Sequence, residues 1–100
     1  MSTTERQVRQ ILGDGGIVLG TAEYISGKLD GVSRIFSPSG ALIQEVHYRD
    51  GQLHGEYRTW WDSGQPKEHG SYVRGQRQGK YSWHGQDGAL IQTHDYGTAL

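Results

Sequence analysis

Glycine and tyrosine recur along this 100-residue chain at a fixed step of 24 residues. Gly16, Gly40, Gly64 and Gly88 form one column, and Tyr24, Tyr48, Tyr72 and Tyr96 form another eight residues further on. Paired glycines make a third column: Gly27 with Gly31, Gly51 with Gly55, and Gly75 with Gly79. Four of the six tyrosines share one register, which a scattered composition would not produce. A period of this size marks stacked supersecondary units, none of which buries its apolar face alone. Architecture is constrained by this feature, whereas function is left open.

Composition narrows the range further. An apolar share of 33% is low for a globular domain, so no deep core is expected. The 16 glycines sit mostly at repeat punctuation with ten aromatic side chains between them, a pattern of order rather than of a linker. Ten basic and eleven acidic residues are interspersed, which leaves no field strong enough to draw nucleic acid or anionic lipid. Without cysteine there are no disulfides, thiolate metal sites or cysteine nucleophile. Apolar runs reach only three residues, and the N-terminus is polar. A soluble, unexported, cytoplasmic protein without membrane contact is the expectation.

Ser2-Thr3-Thr4-Glu5 has the capping-box pattern, and Val8, Ile11 and Leu12 follow at helical spacing before Gly13. These features predict a short helix over 3–12 within an N-terminal helical cap of residues 1–15, docked on the open end of the stack. The repeat region, 16–100, divides into a half repeat at 16–26 and units at 27–50, 51–74 and 75–97. Each unit holds two strand-length stretches between glycine-containing turns such as Ser37-Pro38-Ser39-Gly40 and Arg49-Asp50-Gly51. The fold class that follows is all-β: an elongated antiparallel meander of repeated β-hairpins forming an open, single-layer, twisted sheet.

Strand alternation sorts the side chains. Ser33, Ile35, Tyr57, Thr59, Trp61, Tyr81 and Trp83 share one apolar, aromatic face together with the tyrosine column. Arg34, Glu56, Arg58, Trp60, Lys80, Ser82 and His84 fall on a mostly charged face. Adjacent strand residues point oppositely, so one of Trp60 and Trp61 should be exposed. Pro66 cannot donate to a ladder, which predicts a bulge or an edge beside it.

Gly-x-Leu-x-Gly at 27–31 and 51–55, an aromatic strand, a turn closing on glycine and a strand ending in tyrosine together resemble the MORN repeat, in its bacterial variety. The resemblance covers 16–97 and is clearest over 27–97. The pattern is departed from by Ser33 in place of tyrosine, Arg77 in place of leucine, and His84 in place of an aromatic ring. The resemblance implies successive hairpins in an extended sheet, often self-associating, so a homodimer is an expectation. Bacterial members often carry an antitoxin label, and the family has no shared catalytic residues.

A search for chemistry returns little. His47, His54, His69, His84 and His94 show neither HExxH nor His-x-His spacing, and isolated imidazoles do not make a zinc site. The lysines after Gly27 and Gly79 lack the rest of a phosphate loop, and Gly13-Asp14-Gly15-Gly16 does not continue as a dinucleotide fingerprint. Ser82 and His84 have no orienting acid. Asp62, Glu68 and Asp87 are candidates for a glycosidase pair, but a thin sheet offers no deep cleft. Neither enzyme chemistry, a metal nor a cofactor is therefore expected.

The aromatic residues remain as the functional candidates. Tyr57, Arg58, Trp60, Trp61, Tyr81, Trp83 and His84 combine the side chains most enriched in binding hot spots. The leading expectation is a non-catalytic module that binds and inactivates a partner protein, as an antitoxin, immunity protein or phage-encoded inhibitor of a host defence complex does. Alternatives are a self-associating scaffold module, binding of single-stranded nucleic acid by stacking, and a small carbohydrate-active enzyme.

Overall fold

The computed structural model describes residues 5–99 and contains one open sheet of eight antiparallel strands, ordered β1 to β8 as in the chain. The strands are β1 (Arg6–Leu12), β2 (Val18–Ile25), β3 (Lys28–Phe36), β4 (Leu42–Arg49), β5 (Gln52–Trp60), β6 (Pro66–Val73), β7 (Gln76–His84) and β8 (Leu90–Asp95). The molecule measures 49 × 42 × 13 Å, and 13 Å leaves room for one layer with its side chains. The expected all-β meander is present.

The expected N-terminal helix is not. Residues 6–12 form strand β1, and the only helical geometry nearby is a single 3-10 turn at Asp14–Gly16. Ser2-Thr3-Thr4 of the capping pattern lie outside the described residues. The physical reason is cooperative: a ten-residue helix is marginal by itself, whereas a strand here pairs along its whole length with β2. Pairing also places the Arg9 guanidinium 4.6 Å from the centre of the Tyr24 ring and brings Arg6 onto Asp30. Ile11 lies 24 residues before Ile35, so β1 is a diverged copy of the first strand of a unit.

The repeat is visible in defects as well as in residues. Register breaks fall at Ile11/Leu12, Ile35/Phe36, Thr59/Trp60 and Trp83/His84, again 24 apart. The irregularity expected beside Pro66 is therefore real, but it belongs to every unit rather than to the proline. Each break leads into the same turn. The amides of Gly16, Gly40, Gly64 and Gly88 donate to the carbonyls of Gly13, Ser37, Trp61 and Gly85 at 3.2, 2.8, 2.9 and 2.9 Å. Their φ values of 82, 91, 94 and 85° lie in the left-handed region, which explains why this column is glycine.

Cross-strand pairing defines the two faces. One row crosses the sheet through Ala22, Ser33, Val46, Tyr57 and Gly70, and beside it run Gly20, Ile35, Gln44, Thr59, Glu68, Trp83 and Gln92. The sheet's few buried side chains lie here: Ala22, Val46 and Tyr81, with Thr59 beside them. Small and large residues alternate, and Tyr81 occupies the space above Gly70. A single layer thus gains a core from side chains that lie flat on their neighbours. Tyr81 packs against Trp83 at 4.8 Å between ring centres, and against Tyr72 and Tyr96 edge-on at 6.3 and 6.0 Å. The opposite face carries charge pairs, including Arg34 to Glu45 at 2.8 Å and Arg58 to Glu56 at 3.1 Å.

Trp60 and Trp61 depart from simple alternation: both are half-buried, so neither is the fully exposed ring that was expected. The break at Thr59/Trp60 ends the regular strand at these residues, and the Trp61 amide instead donates to the Gln65 carbonyl across the turn at 2.8 Å.

Candidate partner-binding groove

On the aromatic face an open groove of about 760 Å³ crosses the sheet. Ile11 of β1 and Ile35 of β3 line it and close over Gly20, where an added Cβ would lie 3.2 Å from Ile35 Cδ1 and 3.3 Å from Ile11 Cδ1. Leu19 and Ile43 extend the apolar lining, and the wall beyond is built by Tyr57, Thr59, Trp61 and Glu68. The groove therefore spans β1 to β6, five strand spacings or about 24 Å.

Trp61 is held rather than loosely exposed. Its Nε1–H donates to the His84 carbonyl at 3.1 Å, and the Lys67 ammonium sits 4.6 Å from its ring centre. Gly13, Ser37 and Gly85 occupy the same turn position in the other units, so the indole is specific to this one.

Glu68 is likewise without a counterpart, since Gly20, Gln44 and Gln92 stand at its repeat position. Its carboxylate accepts from Thr59 Oγ1 at 3.0 Å and from Trp83 Nε1 at 3.2 Å. Neutral donors thus aim a charged group into an apolar groove. Burial first, and the Glu68 charge second, push the Tyr57 phenol above its ordinary value. Burial does the same to Tyr81; its Oη lies near the Tyr72 hydroxyl without the geometry of a hydrogen bond, and it has no hydrogen-bond partner among the described residues.

The seven candidate residues are not gathered on one surface. Tyr57 and Trp61 line the groove, and Trp60 borders both it and a smaller cleft of about 230 Å³. Arg58 and His84 line that cleft, with the buried His84 Nδ1 unpartnered among the described residues. Trp83 supports Glu68 from beside the groove. Tyr81, at 1% exposure, is core and offers no contact surface. Sequence reasoning missed Ile11, Leu19, Ile35, Ile43 and Glu68 as groove residues. A signal existed for three of them: Ile11 and Ile35 share a column, and Glu68 breaks the column of Gly20, Gln44 and Gln92.

Among the described residues no group of three or more histidine, aspartate or glutamate side chains is placed to hold a metal ion. No helix in the same range is long and apolar enough to cross a membrane. No curated protein and no solved structure matches the chain. The MORN repeat variant matches twice in succession, over residues 29–50 and 53–74, the two units whose second and first strands build the centre of the groove.

Proposed function

We propose that this protein is a non-catalytic binding module that captures and inactivates a partner protein through the groove on its aromatic face. The observation that carries the reading is an open groove of about 760 Å³ with a largely apolar lining on a one-layer sheet, left uncovered by the described residues. The opposite face is charged and pairs Arg34 with Glu45 and Arg58 with Glu56, which leaves the aromatic face as the surface with apolar area to bury. Trp61, Tyr57 and Ile35 supply the large, half-buried anchors that dominate interface energies. A partner segment seated there is withdrawn from its own targets, which is the mode of action of an antitoxin, an immunity protein or a phage inhibitor.

Affinity capture from the native host lysate with mass spectrometry tests this. The wild-type chain is expected to retain a specific protein that the double variant Ile35→Asp, Trp61→Ala does not. Retention of the same protein by both chains would rule the groove out.

A second reading is favoured by the sheet edge. All of β8 is exposed, with Leu90 at 58% and Ile91 at 68%, and an open edge of that kind is a template for another strand. Self-association through β8 gives a structural scaffold, and light scattering across concentrations distinguishes it from a monomer.

A further inference from the structure

Covering the groove has an electrostatic consequence at Glu68. Its two oxygens are oriented by Thr59 and Trp83, both neutral, and it has no ion pair among the described residues. The other charged side chains lining the groove are Lys67, stationed over Trp61, and Asp62, which is exposed in the turn and stays solvated there. While the groove is open, water solvates the carboxylate. Once an apolar occupant closes over it, that solvation is lost, and an unpaired buried carboxylate opposes binding. A cation delivered by the occupant removes this penalty, and a neutral or acidic group does not.

The backbone of the occupant is constrained as well. The groove runs across the strands, over a floor whose amides and carbonyls already pair in the ladders between β1 and β6. An extended segment lying there would find side chains below it and no backbone partners. A helix satisfies its own backbone, and about 24 Å of groove accommodates about 16 helical residues.

Resting on the groove as the binding surface, we propose that the occupant is an amphipathic helix of the partner protein carrying a lysine or arginine on its apolar face, and that this cation pairs with Glu68. Three and five strand spacings separate Glu68 from Ile35 and Ile11, so apolar residues about three and about four and a half helical turns away from the cation meet them. Glu68 is thereby a specificity-determining residue, which selects among apolar helices by charge.

The test is selection of a displayed library of 16-residue helix-forming peptides on the immobilised full chain. Wild type is expected to enrich peptides with one basic residue flanked by apolar ones at helical spacing, and these should bind about tenfold tighter than their Gln-substituted forms. On Glu68→Gln the basic preference should vanish, and on Glu68→Lys it should turn to Asp or Glu, with both variants retaining the wild-type near-UV circular dichroism. Should Glu68→Lys fail to fold, the isosteric Glu68→Gln decides alone. Apolar enrichment without a basic position, or a basic preference that survives Glu68→Gln, overturns the Glu68 pairing while leaving the groove in place. Enrichment insensitive to Ile35→Asp overturns the groove itself, and no enrichment on wild type counts against the helix.

Discussion

Tyr81 lies in the space that a side chain on Gly70 would fill: a Cβ built at Gly70 would stand 2.0 Å from Tyr81 Cδ2. The contact is possible only because Gly70 breaks the size of its column, where Ala22 and Val46 precede it and His94 follows. The best-buried aromatic ring of the sheet thus depends on one missing methyl group.

Gly70→Ala should therefore destabilise the fold by about 3 kcal/mol, because backbone and a packed ring both resist displacement. Tyr81→Phe should be neutral, or stabilising by up to about 1 kcal/mol, since it removes a buried hydroxyl without a partner. Urea midpoints of the two variants check both signs.

Alkaline pH should act through the same ring. Tyr81 and Tyr57 have phenols raised above the ordinary value, chiefly by burial. In the unfolded chain they titrate near pH 10 or so, as free tyrosine does. A group whose folded pKa is raised contributes stability that is complete below the unfolded pKa and is lost as pH rises beyond it. Stability should accordingly fall from about pH 10 upward, and Tyr81→Phe should flatten that fall in urea titrations at successive pH values. An unchanged slope in the variant would contradict the assignment.

Arg77 replaces the leucine of the other units with a bridge. Its Nε donates to Tyr72 Oη at 3.1 Å and its Nη1 to Tyr96 Oη at 2.9 Å, while the guanidinium covers the Tyr81 ring at 4.9 Å. Arg77→Ala should cost about 1 to 2 kcal/mol through lost stacking and hydrogen bonds. Arg77→Leu should recover most of that, because Leu29 and Leu53 fill the equivalent sites. Arg77→Lys should not, lacking the planar fork. Thermal melts of the three variants rank them.

Amide exchange separates the strand at Arg6–Leu12 from a helix over the same residues. An edge strand protects only the amides that face β2, so protection should alternate along β1. Uninterrupted protection over residues 6–12, with a helical component in far-UV circular dichroism, would contradict the strand.

The sheet was legible because its turns need glycine at left-handed φ and its strand ends repeat tyrosine, both of which are visible as columns. Strand β1 was hidden because Gln7 stands where Gly31, Gly55 and Gly79 mark the other units and because no aromatic ring accompanies it. Val8, Ile11 and Leu12 also fall at helical spacing, and the Ile11 to Ile35 correspondence is a trace of the repeat period among them. Trp61 was legible as a break in the period. Glu68 breaks its column too, but a carboxylate in a strand reads as a solvated side chain until pairing places it between Thr59 and Trp83. Tyr81 misled in the opposite way: an aromatic ring in a hot-spot pattern is also what a thin sheet uses for a core.

The central claim is that the groove, and not the charged face, binds the partner. Titration calorimetry of the captured partner against two variants tests it most directly, one in the groove (Ile35→Asp) and one on the charged face (Arg58→Ala). The groove variant should weaken binding about 100-fold, equivalent to about 2.7 kcal/mol, and the Arg58 variant should leave Kd unchanged. An unchanged Kd for Ile35→Asp with a large loss for Arg58→Ala would contradict the account.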